Sequence, residues 1–68
     1  MASKGVSLPQ LVKLRKAEGL SQEELAERAG VGVATIGRIE KGAHARFETL
    51  KKLAEALNVD RKVLMRQD

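Results

Sequence analysis

The sequence predicts an all-α domain, a compact bundle of five short helices with a helix-turn-helix at its centre. Three observations lead there. The composition favours helices, with 43% of the 68 residues hydrophobic, one proline and one aromatic residue. Apolar residues recur at helical spacing, most plainly along Phe47, Leu50, Leu53, Ala54 and Leu57. Capping residues and glycine or asparagine stops punctuate the chain at intervals of one short helix.

Length sets the terms of stability. A chain of this size hides only about 60% of its unfolded surface on folding. It has no cysteine and one histidine, so a disulfide framework, a thiolate zinc site and a multi-histidine metal cluster are all excluded. No metal or cofactor is expected. Well-patterned helices, helped by self-association, must supply the stability.

Residues 1–6 read as a tail ahead of a single domain over 7–68. A first helix is expected near 8–18. Ser7 can cap it, Gln10 is placed as the capping-box partner, and Pro9 is tolerated in a first turn that needs no N–H from it. Leu8, Leu11, Val12 and Leu14 form its apolar side, and Gly19 stops it. The second helix, 22–29, opens on Ser21 with Glu24 three residues on, and Glu23 and Glu24 suit the positive end of its dipole. Leu25, Ala26 and Ala29 give it a narrow apolar face before Gly30.

The third helix, 33–41, rests on Ile36 and Ile39 and closes at Gly42. Gly37 in its middle costs about 1 kcal/mol relative to alanine, which implies close approach to another helix or to a ligand backbone. After the loop 42–46 comes the clearest amphipathic helix, 47–57, with Lys51, Lys52 and Glu55 outside and Asn58 as its left-handed stop. Asp60 can cap a last helix near 61–66 containing Val63, Leu64 and Met65.

The segment from Gln22 to Lys41 carries the functional signal. Two short helices joined only by Gly30-Val31-Gly32 must cross steeply. Such a crossing needs a small residue at the contact, and Ala26 supplies it. It also needs an unstrained turn residue and an apolar anchor, met by Gly30 and Ile36, with Leu25 and Ile39 completing the contact. This is the arithmetic of a helix-turn-helix whose second helix enters the major groove of DNA. Thirteen Lys and Arg against nine Asp and Glu leave a net charge of +4, which favours a polyanionic partner.

Leu20-Ser21-Gln22-Glu23-Glu24-Leu25-Ala26, Ala29-Gly30-Val31 and Thr35-Ile36-Gly37-Arg38-Ile39-Glu40-Lys41-Gly42 resemble the phage Cro/repressor-type helix-turn-helix family. The match continues through Glu48-Thr49-Leu50-Lys51-Lys52-Leu53-Ala54-Glu55-Ala56-Leu57-Asn58-Val59, so the resemblance covers about residues 8 to 65. It implies a lambda-repressor-like bundle that binds double-stranded DNA, usually as a homodimer on a two-fold-symmetric operator. It further implies that Val33, Ala34, Gly37 and Arg38 face base edges, and that Gln22, Thr35, Lys41, His44 and Arg46 lie along the DNA backbone. Arg15 and Glu40 match a pair that joins the first and third helices in many relatives.

The departures from the family pattern are informative. Gly32 stands where a Ser or Thr cap is common, and Val33 and Ala34 offer only apolar contacts, such as thymine methyls. Arg38 is then the main hydrogen-bonding reader, best matched to guanine, and DNA shape carries part of the specificity. Ala45 and Arg46 replace the proline and small cap that often precede the fourth helix, adding charge to the loop.

Other functions have less support. Lys51, Lys52, Arg61 and Lys62 read as a solvated surface, and His44 lacks partner ligands for a metal. Ser7 and Ser21 read as caps with no histidine or cysteine constellation around them. Glu23 and Glu24 diverge by about 100° on a helix, so they form no paired acid and base. No catalytic residue is assigned, and an enzyme is not expected. No apolar run approaches the ~18 residues of a membrane span and no signal-peptide core is present, so a cytoplasmic, nucleoid-associated location is expected. Val59 and Leu64 are expected to close the bundle, leaving Val63 and Met65 as the expected dimer face. The alternative to a regulator is a protein-interaction module, such as the antitoxin of a toxin–antitoxin pair, with a protein partner on the same bundle.

Overall fold

The computed structural model describes residues 5–67. Its helices are α1 (Leu11–Ala17), α2 (Gln22–Ala29), α3 (Val33–Glu40), α4 (Phe47–Leu57) and α5 (Arg61–Met65). The apolar face of α4 lies at the centre, packed on α2 and α5, while α3 packs on α2 and α1. Leu11, Leu25, Ile36, Leu50, Leu53 and Leu64 are fully buried, one or two from each helix. No single helix is long enough to be stable alone in water, so this shared core holds all five.

Sequence-encoded caps set most boundaries. Ser21 Oγ accepts the Glu24 amide at 3.0 Å and Glu24 Oε1 accepts the Ser21 amide at 2.8 Å, a complete capping box. Asp60 Oδ1 accepts the Lys62 amide at the start of α5. Asn58 ends α4 in the left-handed conformation, with φ 57°.

The start of the chain departs from expectation. α1 begins at Leu11, so Ser7 does not cap it and Gln10 forms no capping box. Gln10 is drawn elsewhere: its Nε2 donates to the Arg66 carbonyl at 3.2 Å and its amide to the Leu64 carbonyl at 3.4 Å. Leu8 remains in the core from outside the helix. The expected tail through residue 6 also fails at its end, because Val6 forms an antiparallel bridge with Ala45 and packs against the core. Met1–Lys4, the rest of that expected tail, lie outside the described residues.

One apolar expectation is corrected. Phe47, the first residue of α4, is 60% exposed, although its spacing puts it on the stripe of the buried Leu50, Leu53, Ala54 and Leu57. Of the two residues expected at a dimer face, Met65 is half-buried and packs partly on the core. Val63 is half-buried beside Gln10, Lys13, Leu14 and Arg66.

Candidate nucleic-acid interface

The steep α2–α3 junction is built from the residues that its spacing demands. Gly30 takes φ 74°, a conformation open to glycine at no steric cost, and the Val31 amide returns to the Ala26 carbonyl at 3.0 Å. Ala26 is buried at the crossing, with Leu25, Ile36 and Ile39 around it. Burying Ile36 and Ile39 fixes the opposite side of α3 outward. That side carries Val33, Ala34 and Arg38, all exposed, with Thr35 and Gly37 half-buried at its margins.

Gly37 has no close packing partner. A Cβ placed there meets no atom within 4 Å, so the expected approach of another helix does not occur. The space that a side chain would take at Gly37 is open among the described residues.

The α3–α4 loop brings the sequence-distant candidates together. Thr35, Arg38, His44, Arg46 and Thr49 line one cleft of about 340 Å³ between α3 and the start of α4. Lys41 is exposed just beyond, at the α3 C-terminus. The side chains of Arg38, Lys41, His44 and Arg46 have no hydrogen-bond or ion-pair partner among the described residues. Four cationic or protonatable groups thus stand unneutralised around the outer face of α3, the pattern expected where a polyanion docks.

Behind this face, α3 is anchored to α1. Arg15 Nε and Nη2 donate to Glu40 at 2.6 and 3.2 Å, and Arg15 Nη1 donates to the Leu20 carbonyl at 2.8 Å. Gln22, expected along the DNA backbone, turns its amide inward and donates to Glu40 Oε1 at 2.7 Å. Sequence reasoning paired Arg15 with Glu40 but missed Gln22, whose amide is an obvious partner only once α2 and α3 are crossed. Burial alone would raise the Glu40 carboxyl pKa. The hydrogen bonds from Arg15 and Gln22, with the charges of Arg15 and Lys16, outweigh it and hold Glu40 below the ordinary 4.5.

No described helix is long and apolar enough to cross a membrane, and no described group of three or more His, Cys, Asp or Glu is placed to hold a metal ion.

Comparison with known proteins agrees with this geometry. The helix-turn-helix family HTH_3 matches residues 11–64. The restriction-modification controller protein C.AhdI from Aeromonas hydrophila is 38% identical, with a TM-score of 0.79 over 87% of this chain and 92% of that one. A chain of the SinR protein/SinI protein complex is 30% identical, with a TM-score of 0.81 over 88% of this chain. The match spans 61% of that chain's length. No curated protein sequence matched. The family match, with C.AhdI similar over nearly its full length, makes this chain a member of the Cro/repressor-type helix-turn-helix family of DNA-binding transcriptional regulators.

Proposed function

We propose that the protein is a repressor that binds a palindromic operator as a homodimer, each subunit presenting α3 to one major groove. The observation that carries this reading is the exposed side of α3, Val33, Ala34 and Arg38, ringed by Lys41, His44 and Arg46, whose side chains have no partner among the described residues. Arg38 reads guanine through its planar donors, Val33 and Ala34 contact thymine methyls, and Gly37 lets the groove wall come close. Thr35, Lys41, His44 and Arg46 follow the phosphates. At the start of α2, where the Gln22 side chain is held by Glu40, the backbone amides of Gln22 and Glu23 receive a further phosphate, against the local repulsion of Glu23 and Glu24. Two-fold symmetry places half-sites about 34 Å apart. Repression follows from covering a promoter, at the nucleoid in the cytoplasm, and needs no catalysis and no cofactor.

Selection of bound duplexes from a random pool at near-physiological salt tests this. An inverted repeat with guanine at corresponding positions of both half-sites is the expected result. Recovery of no motif, with binding that vanishes as salt rises, overturns sequence-specific regulation and leaves a basic surface. The second reading, a module that holds a protein partner, is favoured by the likeness to a chain from a complex of two proteins. It predicts a stoichiometric partner that co-purifies with the chain.

A further inference from the structure

The loop that carries His44 and Arg46 is held from outside the helix-turn-helix, by the start of the chain. The Val6 amide donates to the Ala45 carbonyl and the Ala45 amide to the Val6 carbonyl, both at 2.8 Å. Ala45 is buried, at 2% exposure, while His44 and Arg46 on either side of it are exposed. Successive residues of an extended segment point to opposite sides, so fixing Ala45 inward fixes both neighbours outward. Gly5 makes the fit possible. A Cβ there would stand 2.5 Å from the Ala45 oxygen and 3.0 Å from the His44 Cβ, so the strap lies against the loop backbone with no room for a side chain.

Bonding within the loop itself is sparse. It leaves α3 through Gly42 at φ 113°, with the Ala43 amide returning to the Arg38 carbonyl, and Arg46 enters α4 without a side-chain cap. The strap supplies both hydrogen bonds that Ala45 makes through its own backbone amide and to its carbonyl. Neither the His44 nor the Arg46 side chain is used to hold the fold, since no described residue pairs with either.

We propose that Gly5-Val6 is a positioning strap, which orders the His44–Arg46 loop in advance for contact with the DNA phosphates. The proposal rests on the DNA-binding reading above. Gly5 and Val6 act through the loop and touch no DNA themselves. They preorganise a phosphate clamp beside α3, so the ordering entropy of the loop is spent in folding and not in binding.

The test uses the full chain with Gly5→Val, which forces the strap off the loop, and Val6→Pro, which deletes the Val6 donor, fixes φ there and replaces the side chain that packs on the core. Binding is measured on the selected operator and on random duplex across a salt series, with amide exchange at Ala45 followed alongside. The expected result is faster Ala45 exchange, about ten-fold weaker binding to both duplexes, an unchanged preferred sequence and a log–log salt slope flatter by about 1 to 2. In a His44→Ala/Arg46→Ala background the same strap variants should weaken binding no further. Wild-type affinity despite faster Ala45 exchange overturns the proposal, as do full additive losses in the double-alanine background. If Gly5→Val fails to fold, Val6→Pro carries the same comparison. A wild-type chain that binds no duplex overturns the DNA-binding reading itself and the strap's role with it, a result distinct from equal binding by wild type and variants.

Discussion

Arg15 and Glu40 stand 25 residues apart and join at 2.6 Å, at 11% and 7% side-chain exposure. The carboxylate accepts from two helices at once, since Gln22 of α2 also donates to it. Arg15 in turn uses its remaining arm on the Leu20 carbonyl, at the turn that leads into α2. One carboxylate thus sets the relative placement of α1, α2 and α3, and the exposed side of α3 is aimed by what lies behind it.

Replacing Glu40 with Gln keeps its size but leaves the Arg15 guanidinium without a counter-charge in a poorly hydrated position. Removing one member of a buried pair costs about 3–5 kcal/mol in general, and this pair, slightly exposed, should lose about 2–3 kcal/mol. The pH dependence follows from the direction of the Glu40 shift. Its folded pKa is depressed, so the unfolded chain binds the proton more readily, and the stabilisation is fully present above the ordinary glutamate value of 4.5. It is lost as pH falls from there through the lower folded value. Melting temperature measured from pH 7 down to pH 3 should therefore drop less steeply in Glu40→Gln than in wild type. Parallel curves would refute the assignment.

Helices α2, α3 and α4 were legible in the sequence because local chemistry defines them. Ser21 with Glu24, Gly30 and Asn58 act within one turn of the boundaries they set. The start of the chain was illegible for the opposite reason. Ser7 and Gln10 have the spacing of a capping box, yet Gln10 is claimed by Leu64 and Arg66, more than fifty residues away, and Val6 by Ala45. Periodicity reports which residues share a face and says nothing about how far that face is covered, hence Phe47. At the candidate site, the exposed side of α3 was readable once Ile36 and Ile39 were assigned inward. The cleft that joins Arg38 to His44 and Arg46, and the inward turn of Gln22, depend on tertiary packing.

Phe47 and Leu53 share the apolar stripe of α4 in sequence, and their substitution should separate them in stability. Leu53→Ala removes a fully buried side chain and should cost about 2–5 kcal/mol. Phe47, 60% exposed, should cost less than about 1 kcal/mol when replaced by Ala. Urea unfolding of the two variants checks this, and similar losses at both positions would contradict the exposure of Phe47.

Arg38 and Lys41 should fail in different ways on DNA. Arg38→Ala is expected to relax discrimination at one base pair of each half-site, by about 1–3 kcal/mol, with other positions unaffected. Lys41→Ala should weaken binding evenly across sequences and flatten the salt slope by about 1. Binding curves on a set of single-base operator variants, run at several salt concentrations, distinguish a base reader from a phosphate contact. An even loss from Arg38→Ala, or a salt slope unmoved by Lys41→Ala, would reverse the corresponding role.

Gly37 sets stability against binding most directly. The position is helical, and a Cβ there has no atom to strike within 4 Å, so Gly37→Ala should stabilise α3 by about 1 kcal/mol. In a domain of this size that raises the melting temperature by about 4–8 °C. If the glycine serves close approach of the groove wall, the same methyl should weaken operator binding even as the fold becomes more stable. Thermal melts and operator titrations of this one variant measure both effects. A gain in melting temperature with undiminished affinity would show that DNA does not come close at Gly37, and would leave Val33, Ala34 and Arg38 as the groove-facing residues of α3.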